Sequence, residues 1–168
     1  MPLFSFLEAE PLIRFVEDHR DRIIGNTIRG FYSTAYFGDL SASPVAFSLD
    51  GFDLIVEYFL YSNLRLTVAA PETVQNDPCL SFLYKDHRHR MPLHADEEFP
   101  YVGCRIADIE VERFSSAFEI NPCTEETRPE GGDYFRTITV HLDNGTKFYI
   151  SGMSAVYDGY LSVWDDAH

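Results

Sequence analysis

The sequence predicts an α+β fold that is mainly β: an N-terminal helix plus two pseudo-repeated antiparallel β meanders forming a sandwich or one curved sheet. Three observations predict it. Apolar residues recur at helical spacing early in the chain, then at every second position, and one pattern of strand-opening and hairpin residues occurs twice. With 168 residues, 45% of them hydrophobic, the chain can fill one core, so we expect a single domain over residues 1–168.

The helix is predicted between Glu8 and Arg22. Apolar residues from Leu12 to Val16 stand among acidic ones, as on an amphipathic helix. Pro11 falls in the first turn, where its missing N–H breaks no helical hydrogen bond.

The repeated pattern spans about residues 23–70 and again about residues 101–164. Each copy opens with an apolar residue and a glycine before a strand, and each continues to a hairpin followed by another apolar strand. The openings are Ile24-Gly25-Asn26-Thr27-Ile28 and Val102-Gly103-Cys104-Arg105-Ile106, and the hairpins contain Asp50-Gly51 and Asp143-Asn144-Gly145. Asp-Gly and Asn-Gly between apolar runs are strong hairpin signals. The repetition indicates one β unit used twice, and it carries no evident catalytic group from copy to copy.

Period-two runs then locate the strands. They are Tyr32 to Phe37, Val45 to Leu49, Asp53 to Phe59, Leu64 to Ala69, Tyr101 to Val111, Tyr134 to Leu142, Lys147 to Ile150 and Tyr160 to Trp164. Between the copies, Pro71 to Pro100 is predicted to be a long irregular connection with one short helix around Cys79 to Tyr84. Asn121 to Asp133 lengthens the second copy and is predicted to be a surface loop.

Charge restricts the partners. The 27 Asp and Glu residues exceed the 13 Lys and Arg residues, which leaves a formal charge of −14. Nucleic acid and anionic membranes are not expected to bind, because both would repel this surface. Such a charge either is the ordinary acidity of many soluble proteins, which serves solubility, or favours a cationic protein as the partner.

The start of the chain lacks a basic leading segment, so it does not read as a signal peptide, and we expect a cytoplasmic protein. Three cysteines without CxxC spacing fit reduced thiols in that compartment.

Several acidic and aromatic residues are candidates for binding the partner. Asp108, Glu110 and Glu112 alternate with apolar residues, so a strand would place the three carboxylates on one face. That face is either an ordinary solvent-exposed face of a sheet or a surface that binds Lys and Arg side chains of a partner protein. The other candidates extend the acidic surface or set aromatic rings beside it: Glu125, Glu126, Glu130, Asp133, Tyr157, Asp158, Tyr160, Asp165 and Asp166. Tyr160, like Trp164, could instead fill the core face of the last strand.

One histidine cluster has the composition of a metal site. His87, His89 and His94 precede three acids, and with Glu97 they could hold zinc or non-haem iron. The positive charges of Arg88 and Arg90 disfavour a divalent cation there, and a solvated polar loop is the simpler interpretation. No nucleophile elbow, phosphate-binding loop or dinucleotide-binding motif occurs, so we expect neither catalysis nor a cofactor.

The chain resembles the small immunity proteins of bacterial polymorphic toxin systems, in particular those of contact-dependent growth inhibition. The resemblance lies in the Gly-containing strand openings at Ile24 and Val102, the two hairpin motifs, the closing Asp158-Gly159-Tyr160-Leu161-Ser162-Val163, the small size and the acidic charge. It implies an inhibitor that binds a cognate, basic toxin domain, which we expect to be a nuclease, and that catalyses nothing itself.

Two alternatives stay open from the sequence. One is a small metal-dependent or ligand-binding enzyme that uses the histidine cluster. The other is an acidic mimic of nucleic acid that binds DNA-handling proteins.

Overall fold

The computed structural model describes residues 4–59, 62–84, 90–114, 133–154 and 159–167. They form two antiparallel sheets, one N-terminal helix and several short helical turns, which confirms the predicted fold class. In chain order the elements are β1 (Phe4–Phe6), α1 (Ala9–Asp18), α2 (Arg20–Ile23), β2 (Ile28–Ser33), β3 (Leu40–Ser41), β4 (Val45–Leu49), β5 (Asp53–Tyr58), β6 (Leu64–Ala69), α3 (Thr73–Asn76), a 3-10 turn (Ser81–Leu83), β7 (His94–Ala95), β8 (Ile106–Phe114), β9 (Tyr134–Leu142), β10 (Lys147–Ser154) and β11 (Gly159–Trp164).

The two sheets contain the same four-stranded meander. The first sheet has the strand order β1-β6-β5-β4-β2-β7, and the second has the order β3-β11-β10-β9-β8. Strands β2, β4, β5 and β6 therefore correspond to β8, β9, β10 and β11. The additional strands at the sheet edges have only two or three residues, which limits the unpaired backbone they expose.

The two glycine-containing openings pair with each other and join the sheets. Gly25 donates a backbone hydrogen bond to Ile106, and Gly103 donates the equivalent bond to Ile28. Thr27 lies opposite Arg105 at the centre of this short antiparallel ladder. The bonds are related by a local pseudo-twofold axis, so the repeated motif lies where the two copies meet.

The copies also share a bulge. The register of β2 shifts between Ile28 and Gly30, and that of β8 shifts between Ile106 and Asp108, the same place in each copy. A bulge bends its strand and increases the local twist. After the shared ladder, the two chain segments therefore bend apart at equivalent positions, one into the first sheet as β2 and the other into the second sheet as β8.

The sheets face each other across one apolar core, so the fold is a sandwich. Phe47 of β4 stacks on Phe148 of β10 with ring centroids 5.7 Å apart. Phe99 and Tyr101, which precede β8, pack edge-on or stacked against these rings and are buried. Leu12 and Val16 of α1 complete the core, which encloses a small apolar cavity of about 40 Å³.

Helix α1 begins where a distant residue caps it. The Asp133 carboxylate accepts a hydrogen bond from the Glu10 backbone N–H at 2.9 Å, and its carbonyl accepts one from the Ala9 N–H at 3.3 Å. Arg113 joins the Asp133 and Glu10 carboxylates by ion pairs. Pro11 lies in the first turn, as predicted, and the residue before the helix, Glu8, supplies no side-chain cap of its own.

The connection between the copies differs from the sequence prediction. Besides the short turn near Tyr84, it contains α3 and strand β7, and it covers the outer face of the first sheet. Ala46 and Ile55 of that face form a second buried cluster with Leu80 and Leu93 of the connection. Strand β4 is consequently buried on both faces, which explains why all five of its residues, the polar Ser48 included, are buried.

Strand β2 ends earlier than predicted. The Ser33 hydroxyl accepts a hydrogen bond from the Ala35 N–H, and the Asp96 carboxylate accepts one from the Phe37 N–H at 2.6 Å. These side chains offer the backbone a turn in place of a ladder. No helix among the described residues is long and apolar enough to cross a membrane.

Candidate functional site

The outer face of the second sheet brings together residues of four strands that are far apart in the sequence. Glu110 of β8 lies opposite Thr139 of β9, which lies opposite Tyr149 of β10, which lies opposite Trp164 of β11. Residues directly opposite in antiparallel strands project to the same face. At about 4.8 Å per strand, Glu110 and Trp164 are about 14 Å apart along this row. We call this surface the open face.

Alternation along each strand decides what the open face displays. Phe148 and Ile150 of β10 point into the core, so Tyr149 between them points outward. Leu161 and Val163 of β11 are also in the core, which turns Tyr160 and Trp164 outward. The alternative in which these two rings fill the core is therefore wrong.

The acidic row of β8, formed by Asp108, Glu110 and Glu112, lies along one edge of the open face. The three residues alternate outward as predicted, opposite His141, Thr139 and Thr137 respectively. They are not equivalent, because two of them have partners and the third has none among the described residues. Asp108 lies 3.4 Å from Arg20 of α2, and Glu110 lies 3.2 Å from the His141 imidazole, a contact that is an ion pair only when the imidazole is protonated.

Tyr149 and Trp164 form an aromatic pair in the middle of the open face. Their ring centroids are 4.3 Å apart, and the indole N–H of Trp164 donates a hydrogen bond to the Ser151 hydroxyl at 3.1 Å. The Tyr149 hydroxyl donates to the Asp166 carboxylate at 3.3 Å. These contacts hold both rings in one orientation, so little rotamer entropy remains to be lost when another surface packs on them.

Other side chains complete the surface around this pair. Lys147 lies beside the Tyr149 ring at 5.6 Å, and the hydrogen bond with Tyr149 raises the pKa of this amine. Tyr160 lies opposite Met153, whose side chain is 42% exposed, and Leu40 of the edge strand β3 is 53% exposed. The open face is thus apolar and aromatic toward β11 and acidic toward β8.

Two of the predicted binding residues have structural roles instead. Asp165 is only 7% exposed, and its carboxylate accepts a hydrogen bond from the buried Tyr101 hydroxyl. The prediction that Asp165 lies on the acidic surface is wrong, because this residue follows the outward-facing Trp164 and points toward the core. Asp133 caps helix α1 and binds Arg113, as described above.

The remaining candidates divide between the described and undescribed parts of the chain. Asp166 is exposed at the end of β11, beside the aromatic pair. The others lie outside the described residues: Glu125, Glu126, Glu130, Tyr157 and Asp158. Sequence reasoning missed Tyr149, although the alternation in Lys147 to Ile150 was the signal that could have found it.

The histidine cluster is only partly described. His87 and His89 lie outside the described residues, and His94 is exposed in β7. Asp96 uses its carboxylate to hold the backbone N–H groups of Phe37 and Glu98. Within the described ranges, no group of three His, Cys, Asp or Glu side chains is placed to hold a metal ion.

No model of a known protein family, no curated protein and no solved structure matches this chain.

Proposed function

We propose that this chain is an immunity protein that binds a cationic toxin domain, a nuclease, in the cytoplasm and neutralises it without chemistry of its own. One observation carries the proposal: a single sheet face displays the acidic row of β8 beside the ordered aromatic pair of Tyr149 and Trp164. The corresponding face of the first sheet is covered by the chain itself.

The acidic row supplies the electrostatic part of the binding. A formal charge of −14 attracts a basic protein over about one Debye length, about 8 Å at physiological ionic strength. A nuclease is basic where it holds phosphates, so a surface that covers its active site benefits from carboxylates. Glu112 is available for such a contact. Asp108 pairs with an exposed arginine, and Glu110 contacts the half-buried His141, so both carboxylates have only weak partners to exchange.

The aromatic pair supplies the part of the binding that fixes the complex. Tyr and Trp are enriched among the residues that dominate interface energies, because they bury a large area and keep a polar group for hydrogen bonding. The indole and phenol are already held by Ser151 and Asp166, so they are preorganised. The two parts therefore predict different kinetic effects: loss of carboxylates slows association, and loss of the rings speeds dissociation.

The experiment uses as its probe the toxin domain that we expect to be encoded directly before this chain's gene. Trp164 is the single tryptophan of the protein and lies on the open face, so its fluorescence reports binding directly when the probe lacks tryptophan or is measured alone for subtraction. We expect Glu110→Gln with Glu112→Gln to slow association severalfold at low salt and to have a smaller effect at high salt. We expect Trp164→Ala, followed through a label on the probe, to leave the association rate nearly unchanged and raise the dissociation rate by at least tenfold.

The matched control is Glu97→Gln with Glu98→Gln, which removes the same charge from the turn after β7 in the other sheet. Equal slowing by both pairs would show that net charge acts and the open face does not. A probe that is toxic in cells and is neither bound nor inhibited by this chain would refute the immunity function itself.

A further inference from the structure

A second cavity lies on the opposite side of the molecule, where the connection between the copies covers the first sheet. Its volume is about 290 Å³, just below the roughly 300 Å³ at which pockets for drug-sized ligands begin. The walls come from the loop between β3 and β4 and from the connection: Ala42, Ser43, Pro44, Cys79, Leu80, Tyr84, Arg90, Met91 and Leu93. We call it the Arg90 cavity.

Most residues of the cavity wall are apolar. Leu80 and Leu93 belong to the second buried cluster, so this part of the lining is fixed by packing. Leu80 has a left-handed backbone, with φ of 51°, which is uncommon for a residue other than glycine. Buried packing on both sides of the turn holds this conformation and with it the shape of the cavity.

Arg90 has an incomplete set of hydrogen bonds. A guanidinium has five N–H donors, and that of Arg90 makes one long bond, from Nη1 to the Cys79 carbonyl at 3.4 Å. Its Nε is buried and has no acceptor among the described residues. The guanidinium lies 5.8 Å from the centre of the Tyr84 ring, a weak substitute for a hydrogen-bonded anion.

Arg90 also lacks a carboxylate partner within the described part of the chain, which is unusual in so acidic a protein. Five other arginines, at positions 14, 20, 29, 65 and 113, each pair with an Asp or Glu. Glu57, a buried acid whose charge also acts on Tyr84, is engaged by Arg65 across the β5–β6 hairpin. The charge of Glu57 is therefore already compensated by Arg65, and the charge of Arg90 has no compensating carboxylate among the described residues.

Tyr84 offers a second donor at the same end of the cavity. Burial, followed by the Glu57 charge, raises the pKa of its hydroxyl to about 12, so the phenol stays protonated at any physiological pH. Ser43, which carries another hydroxyl, also lines the cavity. The Arg90 guanidinium, two hydroxyl groups and an apolar wall are the features of a site for a small amphipathic anion.

We propose that the Arg90 cavity binds a small organic monocarboxylate, with its carboxylate on the Arg90 guanidinium and its apolar body against Leu80 and Leu93. A single guanidinium matches one carboxylate in charge and in its forked geometry. A phosphate dianion would keep an uncompensated charge beside Glu57 in a protein that is already strongly acidic.

The test measures binding of 4-methylpentanoate and phenylacetate to the full chain by two-dimensional amide NMR titration. The neutral amides of the same two acids are the matched ligands. We expect saturable shifts with the acids, with affinity at least tenfold weaker for the amides and for Arg90→Gln. Arg105→Gln, an exposed arginine at the other end of the molecule, removes the same charge and should bind as the parent does.

Each other result overturns the proposal. Equal affinity for acid and amide would show that the guanidinium takes no part, and so would unchanged binding by Arg90→Gln. Absence of saturable shifts up to about 10 mM would show that the cavity is no ligand site. If Arg90→Gln does not fold, Met91→Trp replaces it: Met91 is 65% exposed at the rim, and a larger ring there should block entry and abolish the shifts.

Discussion

Replacing Asp133 tests whether this residue stabilises the helix or serves an acidic binding surface. In Asp133→Ala the Glu10 N–H loses its side-chain acceptor, and loss of an N-cap acceptor costs about 1 kcal/mol. The ion pair with Arg113 is lost as well, but the two side chains are 33% and 52% exposed, so it adds no more than about 1 kcal/mol. The backbone bond from Ala9 to the Asp133 carbonyl survives. We therefore expect the free energy of unfolding to fall by about 1 to 2 kcal/mol.

Urea unfolding followed by circular dichroism measures this difference, with two further variants as controls. Asp133→Asn keeps an oxygen acceptor and loses only the charge, so it should cost about half a kcal/mol. Glu112→Ala removes an exposed acid that has no ion pair among the described residues, and it should change stability by less than about 0.5 kcal/mol. If Asp133→Ala were as stable as Glu112→Ala, the proposed cap would contribute nothing and the residue would be free for a partner.

Two further substitutions test other parts of the fold. A Cβ on Gly152 would clash with the backbone carbonyl of Ser62, so Gly152→Ala should lower the free energy of unfolding by about 2 kcal/mol or more. The neighbouring Met153→Ala is the control and should lower it by less than about 1 kcal/mol. Equal effects of the two substitutions would show that the sheets do not meet there. Burial raises the pKa of the Asp53 carboxyl, so its contribution to stability is full below the unfolded pKa of about 3.9 and is lost as pH rises through the folded pKa. Asp53→Asn removes this dependence, and its unfolding free energy relative to the parent should rise between about pH 3 and pH 7; a relative fall would contradict the sign.

The strands were predictable because their signals are local. The bounds predicted for β4, β6 and β9 agree with the structure, since hairpin residues follow β4 and β9 and precede β6, and a proline follows β6 closely. Gly51 and Gly145 both have positive φ, which is the backbone conformation that these hairpin turns require. The sequence also indicated that one unit is used twice.

The roles of individual acids were much less predictable, because exposure depends on chain segments far apart in sequence. Asp108, Glu110 and Glu112 share a face as expected, since strand alternation is a local property. Asp165 and Asp133 look just as accessible in the sequence, yet one is bound by Tyr101 in the core and the other by the start of a helix 123 residues away. Neither contact leaves a signal in the residues next to the acid.

The amino-acid sequence by itself determined the mainly β fold, the order of its hairpins, the N-terminal helix and the acidic charge, because periodicity, turn chemistry and composition are properties of neighbouring residues. Only the tertiary structure decided which sheet face stays open. Covering the first sheet with the connection buries Ala46 and Ile55. The pairing of β8 with β9, β9 with β10 and β10 with β11 brings Glu110 into one row with Tyr149 and Trp164. Both results depend on which apolar surfaces can be removed from water together, and that is a property of the whole chain.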